Sequence, residues 1–313
     1  LPVGNSDQGV GLGAGDIMIG TDINYQFIDW KHDPTADEDF HHLGTMSSVV
    51  MTPNITIGLH DWWNLSVAQV FGRRAMTWGQ DTTSIHHRDE SSGSDFVNAE
   101  GGILGDSRIM LRFLALNAGI GPGMRFFIGG GMVIPSENTL ISDPFFLKNP
   151  EEKDEHRHFS ISEGARKAVA EVQFFMKRKT NPVFAGGTLT YENPLGENEH
   201  GYTASKTFDV SLTAFTSKNR LLKGSLGGSF MVRTTSAGYW HGIEAPNSES
   251  TLLIPGFGAL WNFNSTALSV NVQLPVFYSG SLVGSEAYLS EEAKAVQLSV
   301  SMRRVLDFYI PWL

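Results

Sequence analysis

The 313-residue chain predicts an all-β fold: a twelve-stranded antiparallel transmembrane β-barrel with short periplasmic turns and long external loops. Three observations predict it. Apolar and polar residues alternate with period two over long segments, glycine is abundant (34 residues), and short and long connections alternate along the whole chain. A strand points successive side chains to opposite faces, so such alternation makes one face apolar and the other polar.

The first clear segment is 16–30. Ile17, Ile19, Ile23, Tyr25 and Phe27 share one parity, and Gly20, Asp22, Asn24 and Gln26 the other. Candidate strands follow near 45–60, 64–79, 98–113, 122–135, 165–178, 183–193, 205–217, 221–234 and 252–262. The eleventh, 266–278, sets Leu268, Val270, Val272, Leu274 and Val276 against Ser269, Asn271 and Gln273. In the twelfth, 294–308, Val296, Leu298, Val300 and Met302 oppose Gln297, Ser299, Ser301 and Arg303. A tilted membrane-crossing strand needs about 9–11 residues, and most of these segments have them.

The connections decide the topology. Short links fall at 61–64, 114–121, 179–182, 218–220 and 263–265, and long ones at 31–44, 80–97, 136–164, 194–204, 235–251 and 279–293. Strict alternation is the layout of a barrel with turns on one side of a membrane and loops on the other. An even strand count brings both termini to the short-turn side. The division read from this is a Gly-rich lead-in or plug at 1–15, a barrel at 16–308 and a tail at 309–313. The longest charge-free stretch, 250–285, is broken by Pro255, Pro275 and several amides, so it reads as two strands rather than a spanning helix.

A soluble sandwich or barrel would also alternate, with its apolar face inward. Strand length, glycine content and the many small and charged groups on the polar parity favour the membrane. So do aromatics near strand ends, among them Trp30, Trp62, Trp63, Phe113, Trp261 and Phe263. The expected location is a bacterial outer membrane.

The last strand, AVQLSVSMRRVLDF, resembles the C-terminal strand of bacterial outer-membrane proteins, which ends in an aromatic read by the insertion machinery. The resemblance implies Phe308 as that assembly signal, with 309–313 as a departure from the pattern. The block GGILGDSRIMLRFLAL, followed by GGGMVIPSEN, resembles outer-membrane transporters of the phenol meta-pathway, a group near the long-chain fatty acid transporter family. That resemblance spans about a tenth of the chain. It implies passage of small, often apolar organic solutes and names no binding residue.

Charge sorts by side. The six long connections carry 22 acidic and 5 basic residues, although the whole chain is only −10. Nine of the ten histidines lie there too. An acidic, His-rich external rim concentrates cations. Imidazoles beside carboxylates suit divalent metals, so a loop-bound cation is open, although no other cofactor is implied. His86, His87, Asp89 and Glu90 form one candidate group, and Asp154, Glu155, His156 and His158 another. On this reading zinc binds the rim, and replacing His86 and His87 with alanine weakens it. Solvated loops that meet cation-bridged lipopolysaccharide explain the same charges.

The polar strand parity predicts the lumen lining: Asp22, Asn24, Gln26, Arg74, Asp106, Arg108, Arg112, Glu171, Gln173, Asp209, Asn271, Gln273 and Arg303. Opposite charges there either brace the interior or line a pore. Ser84, His86 and Asp89 form a triad on paper, but no nucleophile elbow accompanies them, so an enzyme is not expected. The net negative charge argues against nucleic-acid binding. Absence of cysteine excludes disulfides and thiolate metal sites within the chain. The expected function is an outer-membrane channel or passive transporter for a small solute. The alternative is a non-conducting barrel that anchors or sheathes a partner protein. Expected partners are outer-membrane lipid, lipopolysaccharide, the insertion machinery and the solute, with a homo-oligomer left open.

Overall fold

A computed structural model describes residues 8–32, 42–79, 89–119, 121–145, 147, 156–246, 248–280 and 291–313. Twelve long strands form one closed antiparallel sheet. They are β1 (Asp16–His32), β2 (His42–His60), β3 (Trp63–Trp78), β4 (Leu104–Asn117), β5 (Gly123–Ile134) and β6 (Lys167–Lys177). The second half contributes β7 (Phe184–Pro194), β8 (Thr207–Phe215), β9 (Ser225–Thr235), β10 (Ser250–Phe263), β11 (Thr266–Gln273 and Val276–Gly280) and β12 (Glu291–Tyr309). Each strand pairs with its sequence neighbour, and β1 pairs with β12 to close the wall from Asp16↔Tyr309 to His32↔Glu291. Closure removes the exposed sheet edges that lipid could not hydrogen-bond.

The period-two reading assigns the faces. Ile19, Ile23 and Tyr25 of β1 point outward, as do Val49, Met51 and Ile55 of β2 and Leu298 and Met302 of β12. The intervening Asp22, Asn54, Ser299 and Ser301 are buried. Large apolar side chains exposed all around a wall and polar ones inside it invert a soluble core, and lipid is the solvent that stabilises that inversion. Among the described residues no helix is long and apolar enough to cross a membrane.

Three expectations need correction. The strand placed near 98–113 begins at Leu104, because 96–102 turn back on themselves through paired Phe96 and Ala99 backbone hydrogen bonds and a left-handed Gly102. The strand placed from 221 begins at Ser225. There the Asn219 side chain accepts the backbone N–H groups of Leu221 and Leu222, and Lys223 takes a positive φ, which makes a wider turn than expected. The eleventh strand is broken. β11 pairs with both neighbours up to Gln273, then loses register at Leu274 and Pro275. Beyond the break, Val276–Gly280 pairs with β10 alone. Among the described residues no ladder pair joins that piece to β12, whose residues 292–296 pair only with β1. Proline has no N–H to donate to a ladder, so the split falls where a strand is least able to continue.

Candidate functional site

The barrel interior has three layers. At the short-turn end is an apolar floor. Leu114, Phe127 and Phe175 pack with Phe184, which also contacts the cluster of Phe215, Leu260 and Ala267. The Phe175 and Phe184 rings stack at 5.7 Å. These side chains share the inward parity, so the interior is not polar throughout as expected. Residues 8–14 lie across this floor. Asn64 Nδ2 donates to Val10 O at 2.7 Å, Gly9 N donates to Gln173 Oε1 at 2.9 Å, and Arg303 Nη1 donates to Gln8 O at 3.1 Å. Thr188 Oγ1 donates to Gln8 Oε1 at 2.8 Å, and Leu12 is buried. The wall makes room at Gly58, where a Cβ would lie 1.9 Å from the Gly13 carbonyl oxygen.

This geometry makes a prediction. Gly58→Val, or deletion of residues 1–13, is expected to raise single-channel conductance severalfold by displacing the segment. Unchanged conductance in both variants would place the narrowest point higher in the barrel.

Above the floor lies a cavity of about 440 Å³. Of the predicted lumen residues, Asp22, Asn24, Gln26, Arg74, Arg108, Arg112, Glu171, Asp209 and Gln273 line it. Gln173 and Arg303 also face inward but hold the N-terminal segment. Asn271 is buried against the wall, its Nδ2 donating to Ser229 Oγ at 3.2 Å. Asp106 sits higher and accepts the Ser136 N–H at 3.2 Å. Much of the charge is paired. Arg112 Nε meets Glu171 Oε1 at 2.6 Å, Arg233 forks onto Asp209 with two 2.8 Å bonds, and Arg108 bonds Glu192. Asp22 accepts the Ser301 hydroxyl at 2.5 Å, and Asn24 accepts the Ser299 hydroxyl at 2.6 Å. Bracing and lining are thus combined in the same residues.

The external layer is a vestibule of about 550 Å³. Phe145, Phe159, Tyr202 and Trp240 share its wall with Arg74, Asp106, His158 and Glu163. Tyr202 belongs to a small external sheet of Tyr202–Thr203, Tyr239–Trp240 and Ile243–Glu244. Burial holds its phenol well above the ordinary tyrosine range, and Glu163 adds to the shift, so it stays neutral. Arg157, completely buried, ties two loops together. Its guanidinium donates to the carbonyls of Ser92, Ser94 and Glu100 and to Asn138 Oδ1, at 3.1–3.2 Å. Burial pulls its pKa down, partly offset by Glu90 and Asp95. Sequence reasoning counted Arg157 only as loop charge. The amides Asn98 and Asn138 that meet it gave no signal.

Only half of each predicted metal group lies among the described residues. His86, His87, Asp154 and Glu155 lie outside the described residues, as does Ser84 of the paper triad. Asp89 is exposed. Glu90 is buried at 3% exposure and bonds His158, so one member of each group meets across the vestibule wall. Among the described residues no group of three or more His, Asp or Glu side chains is arranged around one ion position. Phe308 is the next-to-last residue of β12, on the lipid-facing parity at the short-turn end.

Closed strand order, an apolar exterior and a polar interior define a transmembrane β-barrel of the outer-membrane class. No protein-family model matches the chain, and no curated protein matches its sequence. Its fold is similar to the COG4313 outer membrane channel from Pseudomonas putida F1, with a TM-score of 0.64 at 11% identity, over 96% of this chain and 100% of that one. Weaker likenesses reach a FadL homologue of Pseudomonas aeruginosa (TM-score 0.41, 9% identity, 92% and 90% covered) and the transport unit of the autotransporter AIDA-I from Escherichia coli (0.44, 6%, 92% and 90%). The first likeness establishes the fold, and the other two are too distant to carry an argument.

Proposed function

We propose that the barrel is a passive outer-membrane transporter for a small, largely apolar organic solute, which leaves the lumen sideways through the wall beside Pro275. The observation that carries this reading is the split between the outer piece of β11 and β12 above a filled floor. Gln273 and Gln297 form the last rung of the β11–β12 ladder, level with Gln26 of β1. The opening therefore starts at the height of Phe27 and Val296, near the outer edge of the apolar belt. Small Ala293 and Ala295 lie on one side of it, and Val276 and Tyr278, 52% and 69% exposed, on the other. In the vestibule, aromatic faces would gather the solute from water. The lumen charges are largely paired with one another, which lowers their pull on ions. Nothing on this route couples to an energy source, so shape and polarity do the selecting.

The test is uptake of monocyclic aromatic compounds of graded polarity into proteoliposomes. Wild type is expected to admit the apolar members and Pro275→Val to slow them at least fivefold, because valine restores a ladder donor. Equal uptake by both proteins would remove the lateral route. A folded barrel that passes neither solutes nor ions would favour a scaffold that anchors a partner, a reading for which the filled floor also counts.

A further inference from the structure

We propose that His156 and His158 form a divalent-cation site on the vestibule wall, one that binds Cu(II) most tightly. Their Nε2 atoms lie 3.0 Å apart. At a metal–nitrogen distance of about 2.05 Å, two imidazoles at adjacent corners of a square or octahedron sit about 2.9 Å apart, against about 3.4 Å for a tetrahedron. The spacing fits a pair of adjacent ligands as it fits a hydrogen bond between the rings, and the general affinity order places Cu(II) first among the divalent ions.

The pair is held before any metal arrives. Glu90 accepts the His158 backbone N–H at 2.8 Å and the ring Nδ1–H at 2.5 Å. A carboxylate on Nδ1 leaves the Nε2 lone pair on the other side of the ring, the arrangement in which acids outside the ligand set orient metal-binding histidines. In the metal-free protein that lone pair accepts the His156 Nε2–H, and a bound cation would displace this proton to solvent. The intervening Arg157 is anchored in the loop core by its four acceptors, which fixes the segment that carries both rings. His156 is itself buried, and the two ring centroids are 4.4 Å apart. His158 lines the vestibule cavity, which leaves room for water at the remaining coordination positions. The site combines one residue from the first long loop group with two from the second, which is why neither run of His and acid in the sequence shows it. It does not depend on what the barrel transports.

The test uses the full-length barrel in detergent, titrated with Cu(II) alone. Trp78 lies 6.4 Å from the His158 ring, so binding is expected to quench tryptophan fluorescence. The electron paramagnetic resonance spectrum of the first equivalent is expected to show two imidazole nitrogens. His156→Ala with His158→Ala should abolish that equivalent, and Glu90→Gln should weaken it about tenfold. Ni(II) and Zn(II) should compete, each more weakly than Cu(II). A wild-type spectrum without two coordinated imidazoles would overturn the proposal without recourse to any variant. Undiminished binding by the double-alanine protein would overturn it too, by placing the metal elsewhere among the ten histidines.

Discussion

Glu171→Leu is expected to lower the stability of the folded barrel by roughly 3–5 kcal/mol, the cost of leaving a buried charge without its partner. Arg112 and Glu171 have side chains only 5% and 3% exposed, and two nitrogens of the guanidinium reach the carboxylate, at 2.6 and 3.3 Å. Gln173 Nε2 adds a third bond to Glu171 at 2.8 Å. The pair spans a strand: Arg112 is on β4, Glu171 on β6, and Gly129 of β5 is the register partner of both. A Cβ at Gly129 would sit 3.2 Å from Arg112 Cγ and 3.3 Å from a Glu171 oxygen, so the missing side chain is what lets the ions meet. Removing the acid takes the carboxylate away from a buried guanidinium above the apolar floor. Urea unfolding in lipid would measure the loss. Arg112→Met combined with Glu171→Leu should recover most of it, because an apolar pair of similar volume carries no desolvation cost. A loss below about 1 kcal/mol for Glu171→Leu would mean that lumen water screens the pair as it does a surface ion pair.

Val270→Arg is expected to cost about 2–4 kcal/mol of folding free energy in lipid, the penalty for an arginine at the membrane midplane of a barrel wall. Val270 faces outward and is the register partner of Val300, which pairs with Ile23. Thr52, partner of Asp22, lies one rung from Ile23 but faces the cavity. Thr52→Arg places the same charge at nearly the same height beside a carboxylate, and it should fold in vesicles with a yield close to wild type. Equal losses for the two variants would contradict the assignment of faces.

The contrast between these two sites reflects what was legible in the chain. Twelve wall strands were readable from alternation, although the fourth and ninth begin later than alternation places them and the eleventh is broken. Period two is a local property: it needs only a run of neighbours and the alternation of a pleated backbone. The closing pair of β1 and β12 followed from the even count, since the register from Asp16↔Tyr309 is what two termini on one side require.

What fills that barrel was not legible. Arg303 meets Gln8 across 295 residues of sequence, Thr188 meets Gln8 across 180, and Arg157 meets Ser92 across 65. No spacing rule links such positions, because each contact depends on where a closed cylinder carries two side chains. The phenylalanine floor shows the same limit. Phe127, Phe175 and Phe215 look like lipid-facing residues one at a time, and only their parity within folded strands turns them inward. Pro275 was visible as a strand irregularity, but which neighbour keeps the outer piece of β11 depends on pairing shared among three strands. By itself the sequence determined the barrel and its two faces, because local chemistry suffices for these. The tertiary structure alone decided the filled floor, the charge pair over Gly129, the joining of Glu90 to His158 and the break in β11, because each arises where distant segments compete for the same space.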